Sequence, residues 1–314
     1  MSAVASEHKI PPAIADHVSS SFTIGVRDSG VGGLTVACEL KKQIPGARLL
    51  YFADTAHVPY GDRSPREVRH LALSITEFLI GQGADLVVFA CNTSSAYALQ
   101  IAKKRFETPL IGMIEPGARA ALIANASTPR APIGVLATAA TVQSRMYARW
   151  IDGLQVENNE VPSGCLEIAC PDFVPLVESE QASTPAARKA CEEYLRPLLE
   201  ANVQTVVLGC THYPLLLPVL REVAPQINFV DPAQVVAQEV AAMVNESRVL
   251  PNTTFTYCDK FFVSGPTDGV ENWIHKLLDN PSPEIIAAPV FTPPQKPDFE
   301  TADAEETANA EETT

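Results

Sequence analysis

The sequence predicts an α/β protein of two similar lobes, each built around a mainly parallel sheet. Three observations carry this. From Phe22 to about Asn280, short apolar β-branched runs alternate with longer amphipathic stretches, the rhythm of strand–helix units. Two short patterns also recur in the same order: "IGV" at 24–26 returns at 133–135, and "VV--C" at 87–91 returns at 206–210. Both fall at strand-to-loop positions, as two related lobes facing each other require. Finally, 314 residues suit two domains of ordinary size, and a hydrophobic fraction of 46% is ample for their cores.

Taken in order, residues 1–21 are polar and contain proline, and are expected to be a disordered extension. The strand "FTIGV" runs into "RDSGVGG", where Gly30, Gly32 and Gly33 permit a tight turn into the helix "GLTVACELKKQI". Asp28 and Ser29 stand at the mouth of this turn. It lacks GxGxxG and a following Gly-Lys-Ser/Thr, which disfavours nucleotide binding. A carboxylate at Asp28 would repel phosphate and suits an ammonium group better. The stretch "YFADTAHVPYGDRSP" (51–65) ends a strand and continues as a Pro/Gly loop carrying Asp54, Tyr60 and Gly61. It reads equally well as an ordinary connection or a functional loop. "ADLVVFA" and "SSAYALQIAKKRF" form the next strand–helix unit.

In the second half, "IGVLATAATVQS" places Thr138 and Thr141 at the second copy of the first-strand loop. Their hydroxyls suit carboxylate binding or helix capping. Glu178, in "DFVPLVESE", reads as a surface carboxylate, and no spacing predicts that it meets His212. Beyond Asn280, "PSPEIIAAPVFTPPQKP" and the acidic stretch after it are expected to be solvated and disordered.

The most informative feature is the pair "VVFACNTS" (87–94) and "VVLGCTHY" (206–213), whose cysteines lie 119 positions apart (210 − 91). Ligands in open α/β sheets sit beyond the carboxyl ends of strands, and both thiols fall there. Asn92 and Thr93 are good helix N-caps. A thiol at a helix N-terminus is biased towards thiolate, and the free N–H groups there can hold a carboxylate. Thr211 and His212 follow Cys210, and the next helix is expected near Pro218. Cys38 sits in an apolar helical pattern and reads as core. Cys165, Cys170, Cys191 and Cys258 have neither CxxC spacing nor a nearby His pair, so no zinc site is expected.

The net charge of −14 includes seven carboxylates between Asp298 and Thr314, a stretch without Lys or Arg, leaving −7 on the body. That balance argues against nonspecific nucleic-acid binding, which works by neutralising phosphates. No apolar run reaches the roughly 18–20 residues needed to span a bilayer. The N-terminus lacks the layout of a signal peptide. With an odd number of cysteines and no dense framework, the chain is expected in a reducing cytoplasm.

Together, "DSGVGGLTV", "PYGDRSP", "ACNTSSA", "IEPGARAA", "GCTHYPLL" and "FVDPAQVVA" resemble the glutamate racemases of the aspartate/glutamate racemase family, in the family's order and over roughly residues 22–280. The resemblance implies a cofactor-independent enzyme that supplies D-glutamate for peptidoglycan, with its active site in the cleft between the lobes and usually a homodimer. It divides residues 22–280 into a first lobe (22–117 plus 230–280) and a second lobe (118–229), and the disordered tail expected over 281–314 falls outside its pattern. It makes Cys91 and Cys210 the acid/base pair, with Asp28 supporting the first thiol and Glu178 and His212 the second. It places substrate contacts at Asp28, Ser29, Tyr60, Gly61, Asn92, Thr93, Thr138, Thr141, Thr211 and His212. By the same resemblance Cys91 deprotonates the D-isomer and Cys210 the L-isomer.

This chain departs from the pattern at Arg27, which is expected to alter the pocket edge, and at "ATAAT", which is expected to alter the grip on substrate. A pyridoxal enzyme would need a Schiff-base lysine, and the lysines lie outside these motifs. Three rivals stay open on the residues: a racemase for aspartate or another small amino acid, a cysteine hydrolase using Cys210, His212 and Glu178, and a binding protein on an inactive racemase scaffold.

Overall fold

A computed structural model describes residues 22–246, 258–267 and 269–293. The extension expected over 1–21 and the acidic residues from 298 lie outside the described residues. The described chain begins with β1 (Thr23–Asp28), α1 (Leu34–Gln43), β2 (Arg48–Ala53), α2 (Pro65–Gly81), β3 (Leu86–Phe89), α3 (Asn92–Arg105) and β4 (Leu110–Gly112). It continues through α4 (Ile114–Ala124), β5 (Ile133–Ala137), α5 (Ala139–Ser144), α6 (Met146–Glu157), β6 (Cys165–Ala169) and α7 (Phe173–Glu178). Then come α8 (Pro185–Glu200), β7 (Thr205–Gly209), α9 (Leu217–Val223), β8 (Asn228–Val230) and α10 (Pro232–Glu246). The described chain closes with β9 (Lys260–Val263), α11 (Val270–Leu278) and β10 (Glu284–Ala287).

Among the described residues the strands form two sheets, β10-β9-β2-β1-β3-β4 and β6-β5-β7-β8. Every pairing in both is parallel. The α/β class with two parallel sheets is therefore as the sequence predicts. A parallel sheet is covered on both faces, and β3 shows this locally. Its Leu86 and Val88 join the core that also holds Val26, Leu136 and Val236, while Val87 and Phe89 join a second core with Phe52 and Leu79.

The internal repeat extends into the packing. Gly25 of β1 lies opposite Val87 of β3, and Gly134 of β5 lies opposite Val206 of β7. A Cβ on Gly25 would come within 3.1 Å of Ala84 and Val87 and 3.4 Å of Leu79. One on Gly134 would come within 3.0 Å of Val203 and Val206 and 3.1 Å of Leu198. Leu79, Ala84 and Val87 recur as Leu198, Val203 and Val206 at the same spacing as the two cysteines. In each sheet a strand without a side chain at this point lets a helix close down on its neighbour.

One expectation is corrected. Disorder was expected from residue 281, yet Glu284–Ala287 is a strand whose Ile285 and Ile286 pair with Phe261 and Phe262 of β9. The prolines at 281, 283 and 289 flank this strand without interrupting it, so none removes a ladder hydrogen bond. Beyond it, Phe291 stacks on Phe52 at 6.1 Å and meets Phe78 edge-on at 6.5 Å. A short apolar run inside a Pro-rich stretch was enough to close the sheet. Phe291→Ala is expected to cost about 2 kcal/mol, read as a fall in melting temperature of about 5 °C. An unchanged melting curve would show that this segment is not docked in solution.

Candidate active site between the two sheets

β3 and β7 occupy matching places in the two sheets, each beside the strand that carries the close-packed glycine. Cys91 follows β3 by two residues and Cys210 follows β7 directly. The two residues, 6% and 7% exposed, line one pocket. Ser29, Tyr60, Gly61, Asn92, Thr93, Thr138, Thr211 and His212 line it too, while Asp28, Glu178 and Thr141 stand one layer behind. The structure therefore gathers all thirteen residues singled out from the sequence at one place.

On the first side, Cys91 is itself the N-cap of α3, so Asn92 and Thr93 open the helix and do not cap it. Asn92 Oδ1 accepts a 2.7 Å hydrogen bond from the Tyr147 hydroxyl of α6. The hydroxyls of Thr93, Thr138 and Thr141 form a closed ring at 2.9, 3.1 and 3.0 Å. Thr138 also caps α5 through the Thr141 N–H. Burial pushes the Cys91 thiol up, and the charge of Asp28 adds to this. Arg27 and the Ser94 N–H pull it back.

Tyr60 is fixed from outside the pocket. Its hydroxyl donates at 2.6 Å to Asp54, a buried carboxylate that also accepts from Ser264 at 2.6 Å and meets His57 Nδ1 at 2.8 Å. The loop ends in a capping box, Ser64 with Glu67, and Pro65 opens α2.

On the second side, a chain of contacts runs from Glu178 Oε1 to His212 Nε2 at 3.1 Å, and from His212 Nδ1 to the Cys210 sulfur at 3.8 Å. α7 brings Glu178 here through Phe173 and Val177, which sit in the core beside Tyr213 and Leu216, a tertiary fact that no sequence spacing reports. Burial works against a charge on His212, but the contacts with Cys210 and Glu178 outweigh it and the imidazole is pushed up to about 10.

Between the two sides lies the glycine loop. Asp28 accepts from the Gly30 N–H at 3.0 Å and from the Thr211 hydroxyl at 3.4 Å. Burial pushes its carboxyl up, opposed by His212 and by the N–H groups of Gly30 and Gly33. Thr35 Oγ1 donates to the Thr211 carbonyl at 3.1 Å. A Cβ on Gly32 would lie 2.4 Å from His212 Nδ1 and Thr211 Oγ1. Gly32 is thus needed for close approach of one sheet's loop to the other's.

Sequence reading missed Val58, Pro59, Val174 and Gly209 in the pocket wall, and the supporting hydroxyls of Tyr51 and Tyr147. All four, and Tyr51, lie inside quoted stretches. Tyr147, on a helix far along the chain, gives no local signal. Among the described residues no group of three or more His, Cys, Asp or Glu is placed to hold a metal, and no helix is long and apolar enough to cross a membrane.

Comparison with known proteins gives the family. Residues 35–240 match the sequence profile of the Asp/Glu/hydantoin racemases. A glutamate racemase of Desulforudis audaxviator is 50% identical over 212 residues, covering 67% of this chain and 75% of its own. One from Trichodesmium erythraeum is 40% identical over 274 residues, covering 85% and 96%. The crystal structure of glutamate racemase from Francisella tularensis in complex with D-glutamate superposes with a TM-score of 0.78 at 28% identity, covering 86% of this chain and 98% of that one. With two parallel sheets, a pocket between them and a profile match over most of its length, the chain belongs to the Asp/Glu/hydantoin racemase family and is an isomerase.

Proposed function

We propose that this protein interconverts L- and D-glutamate by proton transfer at the α-carbon, with Cys91 and Cys210 as the acid/base pair. The observation that carries the reading is two buried thiols facing one pocket from two separate sheets. Inverting a stereocentre requires a proton to leave one face and another to arrive at the opposite face. Two groups fixed on either side do this without moving the substrate. In each direction one cysteine acts as thiolate and the other as thiol, Cys91 taking the proton of the D-isomer and Cys210 that of the L-isomer.

The flanking groups divide the work. His212, oriented by Glu178, exchanges a proton with Cys210. Cys91 has the first N–H groups of a 14-residue helix instead. Asp28 and Ser29 suit the substrate ammonium. The ring of threonine hydroxyls can open to donate to a carboxylate, beside Asn92 and the start of α3. Glutamate as substrate rests on the relatives' activity and on a Francisella tularensis homologue that binds D-glutamate. The supply of D-glutamate to peptidoglycan and a homodimer rest on the resemblance alone, and a cytoplasmic location on the cysteine usage. The Cys210–His212–Glu178 chain also has the order of a hydrolytic triad, but hydrolysis gives Cys91 no task.

Cys91→Ala and Cys210→Ala are each expected to abolish racemisation of both isomers in a folded protein, followed by circular dichroism of glutamate. Near-wild-type turnover in either variant would overturn the two-thiol reading. Gly32→Ala is expected to displace His212 and lower kcat about 100-fold, while the far-ultraviolet spectrum stays unchanged; normal kcat would show that the loop can yield.

The His212 proton, held to about pH 10 in the fold and to 6.5 otherwise, makes stability depend on pH. Its contribution is full below about 6.5 and is lost as pH rises towards 10. Across that window urea midpoints of the wild type are expected to fall more steeply than those of His212→Asn. Equal slopes would mean that His212 is neutral in the fold.

A further inference from the structure

Arg27 is fully buried, and its Nε and both terminal nitrogens have no hydrogen-bond partner among the described residues. A guanidinium does not give up its proton, so this is a permanent charge held in the protein interior. Burying an unpaired charge is costly. Two aromatic faces offset part of that cost. Its Cζ lies 5.1 Å from the centre of the Phe89 ring and 5.7 Å from that of Tyr60.

The nearby carboxylates are engaged elsewhere. Asp28 is the next residue on β1, so its side chain leaves the opposite face of the sheet, where it serves Gly30 and Thr211. Asp54 accepts from Tyr60 and Ser264 and meets His57.

Strand register shows what the charge faces. Arg27 lies opposite Phe89 on β3, and its carbonyl accepts the Ala90 N–H at 3.0 Å. Side chains alternate along a strand, so Arg27 and Phe89 share one face, and Cys91, two residues past the end of β3, meets them through Tyr60, whose ring also faces Arg27. Cys91 packs with Tyr60 and with Val68 and Leu71 of α2, next to Tyr97 of α3. α2 therefore presents carbon to the thiol at this point. The charged or titratable groups acting on Cys91 are Asp28, Arg27 and, across the pocket, Cys210. Two of these oppose a thiolate and one favours it. The sequence leads one to expect that Arg27 alters the pocket edge, and the structure seats it behind the wall, outside the pocket lining.

We propose that Arg27 is a positioning residue that acts through Cys91, its guanidinium held behind the Tyr60 and Phe89 rings as the fixed counter-charge of the first thiolate. The roles are then balanced between the sheets: Cys210 has a neighbour that exchanges a proton, and Cys91 has a neighbour whose charge never changes. This rests on the reading of Cys91 as an acid/base group.

The test is the pH dependence of iodoacetamide alkylation, read separately on the Cys91 and Cys210 peptides by mass spectrometry, in wild type, Arg27→Met and Arg27→Lys. In Arg27→Met the Cys91 midpoint is expected to rise by about one pH unit, which is about tenfold slower alkylation at a fixed pH below it. The Cys210 midpoint should stay where it is, and Arg27→Lys should restore most of the difference. The acid limb of kcat/KM should move up with the Cys91 midpoint, equally in both directions because the two isomers have equal free energy.

An unmoved Cys91 midpoint in folded Arg27→Met overturns the proposal, as does Arg27→Lys behaving like Arg27→Met. Arg27→Gln serves the same comparison should the methionine variant not fold. The alkylation requires no turnover, so an active Cys91→Ala enzyme would sink the two-thiol mechanism and leave this coupling intact. An unmoved midpoint would sink Arg27 alone.

Discussion

The contact of Gly32 with Thr211 and His212 sets the geometry on which the rest of the site depends. The loop after the first strand of one sheet rests on the loop after β7 of the other, with no side chain between them. The bonds from Thr35 to Thr211 and from Thr211 to Asp28 hold it there. A pocket whose walls come from two sheets keeps a constant width only if the sheets touch beside it. Proton transfer demands that constancy, because a displacement of about 1 Å at a reacting group can cost two orders of magnitude in rate.

The two walls meet a shared problem in different ways. A buried thiol resists ionisation, and Cys91 shows the effect directly. Cys210 has a histidine whose own charge is sustained by a carboxylate behind it. Cys91 has a helix start and packs with Tyr60, whose ring also faces a buried guanidinium. Symmetric chemistry does not require symmetric surroundings. The free energies of the two isomers are equal, so the barriers must match as seen from free enzyme, while the groups that lower them need not be alike.

How much of this was legible follows from where each signal lives. The α/β class was visible because strand and helix periods differ, and the duplicated lobe because "IGV" and "VV--C" fall on corresponding strands in both copies. Cys91 and Cys210 stood out because reactive residue types recur in matching contexts. The partnership of Glu178 with His212 was not legible from spacing, since it depends on how α7 packs, and only the family resemblance supplied it. Tyr147 and Asp54 act through tertiary contacts and carry no pattern. β10 was lost because composition averaged four strand residues with the prolines around them. Arg27 was noticed as an oddity, but its seat behind the wall depends on strand register, which composition does not encode.

The strand order β10-β9-β2-β1-β3-β4 has a consequence for the newborn chain. A ribosome delivers residues in sequence, and β2 (Arg48–Ala53) emerges long before Lys260–Val263, the strand that flanks it. The second sheet is drawn from one continuous stretch, 133–230, and can close as soon as that stretch is out. The first sheet must wait with the edge of "RLLYFA" open, four of whose backbone positions later pair with β9. An apolar edge left unpaired is where chains join one another. Late closure of this seam therefore makes the interval between the emergence of β2 and that of β9 the one in which the nascent protein most needs to be kept apart from its neighbours.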